Sequence, residues 1–230
     1  MYLDNIENPS FLVATTCAQY WKRFSYCSKF WNEEAEKARK VGIKVTLCAS
    51  HQEPVPEEHP VQGFNMVPYE APERDIRKGM LLRSLMKFLP GHQKIIFTDA
   101  DVVPPVDLFE MLAFFYDKDY IVADRIELNE EETDICLESG ALPGIPKDEL
   151  THRIELKKRG MGWFQCVSVD VLNKIASKLP WSHEGYDLFD WVLNRDIVEN
   201  FGEPYVIQQH FYHLWHGASS ANWKGADRNW

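Results

Sequence analysis

The sequence predicts a single-domain α/β fold, on three observations. Short β-branched and aromatic runs alternate with longer amphipathic stretches along most of the chain. One of these runs, Ile95-Ile96-Phe97, has the character of a buried central strand. The length also suits one domain, with at most a small appendage. At 230 residues, 45% hydrophobic and 26% charged, the chain can enclose a sizeable core.

Residues 11–16 (FLVATT) read as the first strand, running into a polar turn. Residues 18–40 carry Tyr20, Phe24, Trp31, Ala35 and Ala38 at spacings near three and four and stop at Gly42, which predicts an amphipathic helix with its aromatics in the core. Residues 43–49 alternate as a second strand. Residues 51–72, rich in Pro and Glu, read as a loop with a short strand at 64–67. A helix follows over 73–89, turning Met80, Leu81, Leu85, Phe88 and Leu89 inward, and Pro90-Gly91 stops it. Arg74, Arg77 and Lys78 fall in its first half, where cations oppose the helix dipole. They are therefore either well solvated or placed there for another purpose.

The central strand ends in Asp99-Ala100-Asp101, and Pro104-Pro105 cannot continue a ladder. A short helix over 106–116 and a strand over 120–123 come next. Residues 127–138 are acidic and poor in apolar side chains. With the Gly/Pro stretch 139–146 they form the expected mobile lid or acceptor loop. Pro146 opens an expected helix with Asp148 and Glu149 in its first turn and Lys157, Lys158 and Arg159 in its last. Residues 160–169 (GMGWFQCVSV) combine two glycines with an aromatic strand, and a helix covers 170–178. In 182–196, Glu184, Asp187 and Asp190 lie at the start of an amphipathic helix carrying Leu188, Trp191, Val192 and Leu193. Residues 204–217 are strand-like and carry His210, His213 and His216. A turn at Trp215-His216-Gly217 would bring the last two histidines together. The tail, 218–230, cannot bury much by itself.

A formal charge of −10 argues against broad electrostatic binding to nucleic acid or anionic membrane. Five scattered cysteines without a CxxC suggest free thiols in a reduced compartment, and a cytoplasmic location is expected. The N-terminal residues have neither a basic nor an apolar leader, and no stretch approaches the length of a membrane span. No anchor is expected.

The chemistry centres on Asp99 and Asp101. Two carboxylates just past a buried strand sit where open α/β sheets bind ligands. In a straight strand they would point oppositely, so the chain must bend for them to converge. Once converged, they offer hard oxygen ligands to Mg²⁺ or Mn²⁺, and phosphate oxygens can complete that shell. One imidazole, from His213 or His216, is tolerated in an oxygen-rich shell of this kind. Asp187 and Asp190 are three apart and share a helix face. They either complement the helix N-terminus or include a general base. Trp163 is either a stacking platform for a ligand or a half-buried core residue.

The strand followed by Thr98-Asp99-Ala100-Asp101 and Val102-Val103-Pro104 resembles the nucleotide-sugar site of GT-A-fold glycosyltransferases. His213-Leu214-Trp215-His216-Gly217 resembles the C-terminal metal-ligand segment of β-galactosyltransferase-like enzymes. Residues 182–196 are similar to the Glu-Asp motif of inverting, family-2-like members, although Gly185-Tyr186 separates Glu184 from Asp187. The resemblance implies a Rossmann-like GT-A domain, a central mixed, mostly parallel sheet flanked by helices. Residues 1–105 would form the donor half, 106–217 the acceptor half, and 218–230 a tail whose Lys224 and Arg228 could reach a diphosphate.

It implies donor contacts from Thr15, Thr16, Arg77, Lys78, Asp99 and Asp101, and acceptor contacts from Trp163 and Glu184. Mn²⁺ or Mg²⁺ would be held by Asp99, Asp101 and His216, with His213 second. Asp187, or else Asp190, would be the base of an inverting transfer. The implied donor is a nucleotide sugar, UDP-linked by preference. The acceptor is left open between a glycan, a small molecule, a protein and a hydroxymethylated DNA base. Two rival readings are a sugar-nucleotide nucleotidyltransferase, whose glycine-rich first loop ATTCAQYWKRF lacks, and a non-catalytic sugar-binding domain. A dehalogenase-type phosphatase is disfavoured because its Asp-x-Asp usually follows the first strand.

Overall fold

The computed structural model describes residues 8–17, 20–69, 78–142, 163–179, 181 and 189–215. Eight strands among them form one sheet. In chain order the elements are β1 (Ser10–Cys17), α1 (Trp21–Lys40), β2 (Lys44–His51), β3 (Asn65–Pro68), α2 (Lys78–Leu85), β4 (Lys94–Thr98) and β5 (Val102–Val103). They continue with α3 (Leu108–Phe114), β6 (Tyr120–Glu127), α4 (Glu130–Ser139), β7 (Phe164–Ser168), α5 (Val169–Ile175), α6 (Phe189–Phe201) and β8 (Tyr205–His213). The spatial order is β3-β2-β1-β4-β7-β6-β8-β5. β1 runs parallel to β2 and β4, β2 to β3, and β6 to β8. β7 is antiparallel to both β4 and β6, and β5 is antiparallel to β8.

Strand alternation divides the core in two. On β1, Phe11 and Val13 face one side and pack with Trp31 and Ala35 of α1 and with Phe109 and Leu112 of α3. Leu12 and Ala14 face the other, against Leu82 and Leu85 of α2, Leu172 and Ile175 of α5, and Phe189, Leu193 and Ile197 of α6. Every residue of β4 is buried, as a strand covered on both faces requires. All five cysteines are buried free thiols. Among the described residues no helix is long and apolar enough to cross a membrane.

Two expectations need correction. Residues 127–138 are not a loop: β6 continues to Glu127, and α4 begins at Glu130, while 143–146 of the same expected stretch lie outside the described residues. Asn129 and Glu132 form a reciprocal capping box, each side chain bonded to the other's backbone N–H at 2.9 Å. Glu130, Glu131 and Glu132 all lie in the first turn, where the helix dipole favours negative charge. The acidity that suggested a loop is that of a helix start. Gly140, at φ 73°, closes this helix in the left-handed region. Trp163 is the second correction. It is 1% exposed and donates its indole N–H to Ala123 O at 2.7 Å, so it is a core residue with no open face for a sugar. The helix expected from Pro146 to Gly160 lies outside the described residues.

Candidate active site

The turn Asp99-Ala100-Asp101 is pinned on both flanks. Before it, Thr98 Oγ1 donates to Trp163 O at 2.7 Å; beyond it, Trp31 Nε1 donates to Val102 O at 2.9 Å. The chain then makes the two-residue strand β5, with Val102 opposite His213. Leu214 N–H donates to Asp101 O at 3.0 Å, which closes the join. Residues more than a hundred positions apart thereby become neighbours. Asp99, Asp101 and His213 each offer one ligand atom, and these atoms lie within 4.8 Å of one another.

This donor set fits a divalent cation. An octahedral ion about 2.1 Å from its ligands spaces them by roughly 3–4 Å, which the cluster can accommodate with small side-chain movements. Two carboxylates and one imidazole suit Mn²⁺ well and Mg²⁺ acceptably. His213 Nε2 lies 3.5 Å from Asp101 Oδ1, and its Nδ1 lies 2.6 Å from Glu127 Oε2. Burial alone would depress the imidazole, but the charge of Asp101 and hydrogen bonds to Asp101 and Glu127 outweigh it and push its pKa up to about 9. Glu127 is held below its ordinary range: burial opposes this, but His213 and Arg125 prevail.

Lys78, in the first turn of α2, joins this cluster to Asp190. Its Nζ donates to Asp99 Oδ1 at 2.7 Å and to Asp190 Oδ2 at 2.6 Å, with only 7% of the side chain exposed. Burial disfavours the ammonium, but Asp190 and then Asp99 reverse that, and its pKa rises. A helical cation that opposes its own dipole is therefore placed for two carboxylates. The start of α6 is fixed independently. Gln165 Nε2 donates to Asp190 O at 3.1 Å and to Tyr120 Oη at 2.9 Å, and Tyr120 donates in turn to Asn194 Oδ1 at 2.9 Å.

Thr15 and Thr16 sit near the C-terminal end of β1, in register with Ala49 and Ser50 of β2. Among the described residues, neither the buried Thr15 Oγ1 nor the buried Trp21 Nε1 has a hydrogen-bond partner. Trp21 packs edge-on to His51, with ring centroids 5.7 Å apart, in a cluster that reaches Ala100 of the acidic turn. The structure thus brings together Lys78, Asp99, Asp101, Asp190 and His213. Arg77, Glu184, Asp187 and His216, with Lys224 and Arg228, lie outside the described residues. Among the described residues, His213, the second choice for a ligand, lies beside the two aspartates. Glu127 and Trp21 went unnoticed in the sequence. Nothing local marks Glu127, and Trp21 reads as one more core aromatic.

No family model matches the chain, and no curated protein does. Solved structures do match. Staphylococcus aureus TarS, residues 1–349, aligns at 11% identity with a TM-score of 0.59, covering 89% of this chain and 60% of that one. The mannosyltransferase PcManGT from Pyrobaculum calidifontis, in complex with GDP-Man and Mn²⁺, aligns at 11% identity and TM-score 0.56, covering 95% and 60%. A putative glucose-1-phosphate thymidylyltransferase from Bacillus anthracis aligns at 10% identity and TM-score 0.52, covering 96% and 97%. The chain therefore spans about 60% of the first two. The likeness is one of fold, the mixed, mostly parallel GT-A sheet that the sequence led us to expect.

Proposed function

We propose that this chain is a divalent-cation-dependent glycosyltransferase that moves a sugar from a nucleotide-diphosphate sugar to a hydroxyl acceptor. The observation that carries the reading is the convergence of Asp99, Asp101 and His213 beyond the C-terminal end of β4, with Asp190 joined to them through Lys78. Asp99, Asp101 and His213 hold the cation. When bound, it supplies Lewis-acid neutralisation of the charge developing on the departing diphosphate. Thr15 and Thr16 contact the donor from β1, and residues 1–105 act as the donor half. Lys78 keeps the carboxylate of Asp190 directed at the cluster. Asp190 takes the acceptor hydroxyl's proton as that oxygen attacks the anomeric carbon, and the configuration inverts. Asp187 is the other candidate for this proton transfer.

The fold-level likeness to the GDP-Man- and Mn²⁺-bound mannosyltransferase supports a nucleotide-sugar donor. UDP-sugars head the panel to test, followed by GDP- and ADP-sugars, each with Mn²⁺, Mg²⁺ or EDTA. We expect one donor class to stabilise the protein against heat and to release nucleoside diphosphate, both only with metal. No stabilisation and no release from any donor would overturn the reading. The thymidylyltransferase likeness, which covers 97% of that chain, favours a second reading. Pyrophosphate released from a nucleoside triphosphate and a sugar phosphate would establish it instead.

A further inference from the structure

The pairing of β6 with β8 changes register once. Ile121 opposite Tyr205 and Ala123 opposite Ile207 share one offset, whereas Arg125 opposite Phe211 and Glu127 opposite His213 lie two residues further along β8. A shift of two keeps each β8 side chain on its own face of the sheet, where a shift of one would turn His213 over. Its effect is to place Glu127, rather than Asn129, directly opposite His213.

Glu127 is itself held firmly. One oxygen accepts from His213 Nδ1 at 2.6 Å, and the other pairs with the Arg125 guanidinium. Arg125 lies over the Trp163 ring, 4.4 Å from its centroid, and Trp163 is anchored to Ala123 O. The line Trp163, Arg125, Glu127, His213, Asp101 thus runs from the core to the candidate cation site. A neutral imidazole has a single lone pair. If Nδ1 carries the proton and donates it to Glu127, the lone pair is on Nε2, the nitrogen that faces Asp101.

We infer that Glu127 is a positioning residue of the cation site: it fixes the tautomer and ring orientation of His213, so that Nε2 is presented to the ion. This rests on reading Asp99, Asp101 and His213 as that site. A carboxylate behind a ligating histidine also raises the basicity of the ligand, and losing such a partner typically weakens metal binding about 10- to 100-fold.

The test is a Mn²⁺ titration of the full chain, followed by electron paramagnetic resonance, with wild type, Glu127→Gln and Glu127→Ala. Circular dichroism verifies that each variant is folded. We expect Glu127→Gln to weaken Mn²⁺ binding about 10- to 100-fold. An unchanged Mn²⁺ affinity in Glu127→Gln would overturn the inference and leave the cation site standing. A wild-type protein that binds no Mn²⁺, alone or with a nucleoside diphosphate, would overturn both. A second measurement needs no variant. In ¹⁵N-histidine spectra of the wild-type protein saturated with Mg²⁺ and a nucleoside diphosphate, His213 should carry its proton on Nδ1. A proton on Nε2 instead would overturn the inference.

Discussion

Lys78 and Asp190 are 112 residues apart in sequence and 2.6 Å apart in space, with Asp99 on the other side of the ammonium. Removing the cation would leave two partly buried carboxylates without their shared counter-charge. Breaking a fully buried pair costs about 3–5 kcal/mol. Because Asp99 and Asp190 retain 31% and 22% side-chain exposure, we expect about 2 kcal/mol for Lys78→Met in urea denaturation. Asp190→Asn added to Lys78→Met should recover part of that loss. Strictly additive losses in the double variant would remove the bridge from the account. Trp163 allows a sharper test of its corrected role. As a core residue, its replacement by Ala should cost about 3–5 kcal/mol, whereas loss of an open sugar platform would leave the denaturation midpoint where it was. At this scale the two aspartates were legible because they interrupt an apolar strand. Glu127 was not, because its partner lies 86 residues away.

Among the elements, α4 shows how local chemistry can be misread. Its first turn is all glutamate, which resembles a solvated loop in composition but is favourable at a helix start. The diagnostic signal was Asn129 with Glu132 three residues later, the capping-box pattern. Asn129→Ala should lower stability by about 1 kcal/mol, measurable as a fall in the thermal midpoint. An unchanged midpoint would mean that packing of Thr133 and Cys136 alone holds the helix. The smallest strand, β5, has the largest consequence. Two residues carry no readable periodicity, yet their pairing with Tyr212 and His213 brings the histidine to Asp101.

For the molecule as a whole, two buried histidines set opposite limbs of the stability profile. His92, 8% exposed in the turn before β4, has its pKa driven down to about 4 by burial and by the nearby Lys44 charge. Its folded value lies below the unfolded one. Its contribution is therefore complete above about pH 6.5 and is lost as the pH falls towards 4. Without metal, His213 behaves in the opposite sense. Its contribution is complete below about pH 6.5 and is lost as the pH rises through about 9. Urea midpoints measured in EDTA from pH 4 to pH 10 should be highest near neutrality. His92→Gln should flatten the acid limb and His213→Gln the alkaline one. If either variant keeps the wild-type slope on its own limb, the corresponding assignment fails.

Alternating apolar runs, helical spacing and the placement of Asp99-Ala100-Asp101 after a buried strand are local properties, and the sequence by itself determined them. From these alone came the α/β class, nearly all the strands, and the position of the candidate site at a strand end. That His213 meets the aspartates, that Lys78 bridges them to α6, and that Trp163 lies in the core became visible only in the tertiary structure. Each depends on pairings between distant segments: β5 with β8, β6 with β8 after its two-residue shift, and α2 with the turn after β4 and with α6. Such pairings are set by the packing of both sheet faces at once, and no window along the chain contains that information.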